Sequence, residues 1–258
     1  MIVNMNKRLA GLLTVFVAFC VLAGICQAAE QKVLVYTKFG KGFVHDCVKA
    51  CADAVVELGR ENGFTVDVSD DPVKFTDDNL KQYSVLVFDN TNNEIFDTEE
   101  QKAALQKYVR AGGGFVGIHS ASGGMRKWPW YWALIGGKFK MHPPSQPLNI
   151  TIVDRNHPST SFLGDTWQWQ KDECYVHNEM GKNVKVLLSV DISTLKPAKE
   201  GQDLVAMAGV KMVPVAWCQN FEGGRQWFTA LGHDPKHYSD PTLRKHILGG
   251  IQWAMGAK

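Results

Sequence analysis

The sequence predicts an α/β protein: a doubly wound, mostly parallel sheet with helices on both faces and an antiparallel extension. Three observations carry this. Apolar runs of four to six residues alternate with helical patterns through the first half of the chain. Three of those runs, within 32–37, 85–88 and 115–118, are continuous apolar stretches rather than alternating ones, as expected for strands buried on both faces. In the second half, alternating stretches and a Gly223-Gly224 hairpin signal replace that rhythm.

The elements follow in order. Residues 32–37 form a first central strand, followed by a loop containing Gly40 and Gly42. A helix is expected from about residue 45 to 62, with Val48, Cys51, Ala52, Val55, Val56 and Gly59 at helical spacing and Asn62-Gly63 as its stop. Residues 65–68 and 85–88 give the second and third strands, the latter entering the polar loop 89–93. Thr98 caps a helix with Glu99 and Glu100 in its first turn, where acidic groups complement the helix dipole. The stretch GGGFVGIHSASGG at 112–124 ends that helix, supplies a fourth strand at 115–118, and stops at His119 and Ser120.

Trp128, Trp130 and Trp132 lead into a short helix closed by Gly136-Gly137. Residues 139–144 are expected as a polar turn and 148–153 as a strand. Asn156-His157-Pro158 is expected as a turn and helix start. An extended segment at 167–175 delivers Asp172 and Glu173. Strands at 185–190 and 213–219, and another leading to His233, precede an amphipathic helix at 242–255.

Residues 1–29 have the form of a secretory signal. Lys7 and Arg8 are the basic start, residues 9–24 the apolar core, and Gln27-Ala28-Ala29 the small-residue cleavage region. The apolar run falls short of the about 20 residues that span a bilayer, so no membrane span is expected after cleavage, and residues 30–258 are expected as one exported domain. A lipoprotein is disfavoured because Ile25 precedes Cys26. Of 28 Lys and Arg, two lie in this segment, leaving no net charge against 26 Asp and Glu. With no basic patch, nucleic acid is excluded as a partner. Cys47, Cys51, Cys174 and Cys218 remain, with no metal-ribbon spacing. Cys47 and Cys51 are expected as packed neighbours on a helix.

In an open α/β sheet, ligands bind beyond the carboxyl ends of the strands. His45, His119, His142, Asp172, Glu173 and His233 fall at such ends or in adjoining loops. Imidazoles with a carboxylate suit a divalent transition metal, zinc or similar, and the same groups serve as acid and base near neutral pH. Each also has a structural explanation: His119 as a strand cap, His45 as a first-turn helix residue, His142 as a surface turn. Asp172 and Glu173 point to opposite faces if extended, so at most one belongs to a site. Tyr175 shares the face of Glu173, where it either bonds a substrate or packs in the core. His177, His237 and His246 are expected to be exposed, and His157 to cap a helix. Trp128, Trp130, Trp132 and Trp167 are core residues or sugar-stacking surfaces. Ser120 and Ser122 do not complete a G-x-S-x-G elbow.

Together, residues 112–121, Trp130-Tyr131, the 134–139 segment with His142-Pro143, Asn156-His157-Pro158, Asp172 to Tyr175, Pro214 to Trp217, Gly224-Arg225 and Leu231-Gly232-His233 resemble the ThuA-like (trehalose utilisation) family. The resemblance implies a flavodoxin-like fold similar to class I glutamine amidotransferases. His119 and Ser120 stand where those enzymes present a cysteine, so amidotransferase chemistry is not expected. It further implies glycoside or keto-sugar catabolism, with a small carbohydrate as partner and one site built from His45, His119, His142, Glu173 and His233. The expected function is an exported carbohydrate-processing enzyme with His119, Glu173 and Tyr175 as catalytic groups, acting as hydrolase, lyase or isomerase. The alternatives are a non-catalytic carbohydrate-binding protein and an envelope interaction module using the Trp128 to Trp132 segment.

Overall fold

A computed structural model describes residues 31–256; the expected signal segment lies outside them. The first half follows the predicted rhythm: β1 (Gln31–Tyr36), α1 (Val48–Asn62), β2 (Phe64–Ser69), α2 (Asp77–Leu80), β3 (Val85–Asp89), α3 (Glu99–Arg110) and β4 (Gly114–Ile118). Next come α4 (Pro129–Ile135), β5 (Lys138–Met141), β6 (Gln146–Ile152), β7 (Thr166–Asp172) and β8 (Val176–Asn178). The chain ends with β9 (Lys185–Asp191), α5 (Leu204–Ala208), β10 (Met212–Phe221), β11 (Gly224–Thr229) and α6 (Pro241–Ala254).

Among the described residues, nine strands form one sheet in the order β2-β1-β3-β4-β11-β10-β9-β6-β7. The first five strands are mutually parallel through four pairings; the other four pairings are antiparallel. Four reversals restore direction, so β7 runs the same way as β11. The carboxyl ends of β1, β3, β4, β11 and β7 therefore share one edge. β1-α1-β2 and β3-α3-β4 cross in opposite directions along the sheet. Right-handed crossovers then place α1 and α3 on opposite faces, and α6 joins α1.

Every residue of β3 and β4 is buried, which is why these strands read as unbroken apolar runs. The Thr98 side chain accepts from Gln101 N–H, and the Gln101 side chain reaches back to Thr98 N–H, a reciprocal cap at the start of α3. On α1, Cys51, Val55 and Leu58 define the buried stripe, and Val56 lies off it, 41% exposed. Cys47 and Cys51 are free and buried, as are Cys174 and Cys218.

Three expectations are corrected. Residues 138–141 are not a turn but the strand β5, paired with β8; this two-stranded ribbon is too short to show a pattern in sequence. Residues 156–158 begin no helix and form part of a turn, where His157 Nδ1 meets Ser159 Oγ at 2.8 Å. His177, His237 and His246 are buried, 9%, 2% and 0% exposed.

His246 explains why a buried histidine is tolerated. One ring nitrogen meets the Ser159 carbonyl at 2.8 Å and the other the Thr229 hydroxyl at 3.2 Å. Burial, partly offset by the Ser159 bond and reinforced by His157, pulls its pKa down to about 4. A lowered folded-state pKa means that the unfolded chain takes up the proton first. Stability is complete above pH ~6.5 and falls as the pH drops toward ~4, by about 3 kcal/mol from this group. Urea unfolding at pH 7 and 4.5 should show a loss to which His246 contributes, and His246→Gln, which cannot titrate, should make that slope shallower. An unchanged pH slope in the variant would remove His246 as its source.

Candidate active site and metal centre

His119 follows β4 directly and opens a 3-10 turn, residues His119–Gly123. Its φ of 49° is a left-handed conformation that non-glycine residues adopt at a cost of about 1–3 kcal/mol. The turn aims the imidazole into the space above the sheet, fully buried. Nδ1 lies 2.7 Å from the carbonyl oxygen of Ala230. A carbonyl only accepts, so Nδ1 carries the proton and Nε2 presents a lone pair. Burial first, then the neighbouring His45, hold the ring well below the usual histidine range, so it stays neutral.

Three other side chains meet that lone pair, and a fourth, His45, joins through one of them. The Tyr175 hydroxyl donates to it at 3.0 Å and lies 3.5 Å from His45 Nε2. His233 Nδ1 is 3.3 Å away and Glu173 Oε2 3.6 Å away. His233 Nδ1 and Glu173 Oε2 are 3.2 Å apart. Burial works against the Glu173 charge, but the hydrogen bond from His233 and the charges of His142 and His233 hold its carboxyl below the usual range. The same bond raises His233. Burial lowers His45 to about 4, with His233 adding to the effect. Tyr175 is pushed upward by burial and by the Glu173 charge.

One donor atom from each of His45, His119, Glu173 and His233 lies within 4.8 Å of the others, the one such group among the described residues. The His119, His233 and Glu173 atoms form a triangle with edges of 3.3, 3.2 and 3.6 Å. Tetrahedral zinc with bonds of about 2.0–2.1 Å needs ligand separations of about 3.3 Å. The donor set of four, and the spacing of these three atoms, fit a divalent transition metal.

His142 stands apart from this group: its Nε2 is 3.6 Å from the other oxygen, Glu173 Oε1, and its ring stacks on Tyr175. His45 sits in the loop after β1, not in α1, whose first residue is Val48. That loop is tied down by Gly40 N–H on the Asn92 carbonyl at 2.8 Å. Asp172 ends β7 and Glu173 follows it. Only Glu173 enters the cluster, while Asp172 accepts backbone N–H groups beneath it.

The tryptophans pack elsewhere. Trp167 is buried against Trp169 and His246. Trp128 stacks on Trp130 and on Tyr131, and Trp132 donates to the Met125 carbonyl. The aromatic neighbours of the cluster are instead Phe139, against Tyr175, and Phe43, edge-on to His45 and 66% exposed. Both escaped the sequence reading. Their signal was position alone, two residues before His45 and three before His142.

No curated protein matches this sequence. Among solved structures, a ThuA-like protein from Bacteroides uniformis is 24% identical with a TM-score of 0.71, covering 90% of this chain and 94% of its own. A ThuA-like protein from Parabacteroides merdae is 20% identical, TM-score 0.70, covering 89% and 91%. A cytoplasmic protein from Salmonella typhimurium is 13% identical, TM-score 0.59, covering 87% and 98%. These likenesses show the fold. No helix among the described residues is long and apolar enough to cross a membrane. The ThuA family, described as trehalose utilisation, matches residues 32–254, and the chain belongs to that family of carbohydrate metabolism.

Proposed function

We propose that this chain is an exported enzyme acting on a glycoside or keto-sugar, with a divalent metal, zinc or similar, held by His45, His119, His233 and Glu173. The observation that carries this reading is the meeting of these four residues with Tyr175 at the carboxyl edge of the sheet. A bound metal would supply Lewis-acid polarisation of a keto oxygen, which eases proton removal from the adjacent carbon. The chain's own residues do the rest. The Ala230 carbonyl fixes the His119 tautomer, so Nε2 faces the cluster as an electron-pair donor. His142 stands beside the second oxygen of Glu173. Tyr175, whose hydroxyl lies 3.0 Å from His119 Nε2 at the rim of the group and donates no metal ligand, is the group that carries a proton to or from the sugar at its phenolic oxygen. Phe43 offers an exposed ring beside the cluster for the apolar face of a pyranose.

The test is incubation of the purified, metal-loaded protein with glycosides and their keto derivatives, followed by product analysis. The reading expects turnover that chelation abolishes. Binding of an intact sugar with no product over long incubation would instead support a carbohydrate-binding protein. Recovery of the chain from the periplasm or the medium with an amino terminus near residue 30 is the expected sign of export.

A further inference from the structure

We infer that Asp172 is a positioning residue that sets Glu173 and His233, and so half of the proposed metal-binding group, in register; this rests on the reading of the site given above. Glu173 follows β7 at the sheet's edge, whereas His233 follows β11, with three strands between them. Their side chains nevertheless end 3.2 Å apart. The Asp172 carboxylate, fully buried, joins the two segments. Oδ1 accepts from the backbone N–H of Glu173 at 2.8 Å and of His233 at 3.3 Å. Oδ2 accepts from Gly232 N–H at 2.9 Å and from Trp169 Nε1 at 2.7 Å. The His237 ring lies beside Oδ2, with Nδ1 at 3.4 Å.

The turn after β11 is gripped from its other side as well. Gly232 has φ +111°, and a Cβ there would collide with the Tyr238 hydroxyl, which donates to the Gly232 carbonyl at 2.8 Å. Ala230, in the same turn, is the residue whose carbonyl fixes the His119 tautomer. Asp172 thus acts through backbone amides on two members of the group and lies one turn away from the anchor of a third. A carboxylate is required because all four of its partners donate. An asparagine there would turn an NH2 group toward N–H donors.

The experiment is Zn2+ titration of metal-free protein, with Co2+ absorption as a report on ligand geometry. Asp172→Asn should remain folded, bind Zn2+ about 10–100-fold more weakly, and change the Co2+ spectrum. Trp169→Phe removes one donor but leaves the three backbone bonds, and should bind Zn2+ within about threefold of wild type with an unchanged spectrum. If Asp172→Asn does not fold, Asp172→Glu, which keeps the charge but displaces it, should show the weakened binding. Wild-type affinity and spectrum in an Asp172 variant, or an equal loss in Trp169→Phe, would overturn the positioning role. Failure of the wild-type protein to bind Zn2+ or Co2+ would overturn the reading of the site itself.

Discussion

His119→Ala and Glu173→Ala are each expected to lower turnover of the sugar substrate by at least about 10³-fold and to leave the protein without stoichiometric metal. The loss is large because each residue supplies a donor that nothing nearby replaces. His119 Nε2 is the point from which the Tyr175 hydroxyl, His233 Nδ1 and Glu173 Oε2 are all within 3.6 Å. Glu173 is the carboxylate in the group and faces His119, His142 and His233 together. Removing it leaves clustered imidazoles without a counter-charge and deletes a ligand at once. Steady-state rates on a keto-glycoside, paired with metal analysis of the same preparations, check the expectation. Full activity in either variant would mean that the cluster is not the reacting centre.

Tyr175→Phe is expected to lower kcat by roughly 10²–10³-fold while metal content stays at the wild-type level. The ring would remain, stacked on His142 with centroids 5.5 Å apart and packed on Phe139 at 4.5 Å. Only the hydroxyl would go, and with it the 3.0 Å bond to His119. Because a phenol contributes no ligand to the proposed group, binding of metal and chemistry should separate in this variant. A wild-type kcat would assign Tyr175 to packing. Simultaneous loss of metal would make it a support of the ligand set.

Much of the fold was legible because buried parallel strands write themselves as uninterrupted apolar runs, as at Val85 to Phe88 and Phe115 to Ile118. The Thr98 cap and the Gly136 stop were legible because their chemistry is local. What stayed hidden depends on the third dimension. Nothing in the periodicity around His177, His237 or His246 says that these rings are enclosed by Trp217, Trp169 and Trp227. The ribbon of β5 and β8 was missed because its pairing register is shifted and its strands run only three or four residues. His45, Glu173 and His233 could be suspected from their places beyond strand ends, since topology alone sends those ends to one edge. That Glu173 rather than Asp172 enters the group was implied only by the family resemblance; the residue pattern left the pair open, because the choice turns on where β7 stops and which carboxylate the 230–233 turn captures.

Anomalous diffraction at the zinc edge, from crystals of the zinc-loaded protein, tests the central claim most directly. The predicted result is one strong peak within about 2.0–2.2 Å of a nitrogen from each of His45, His119 and His233 and of a Glu173 oxygen. A peak held by other residues, or none at full zinc loading, would contradict it.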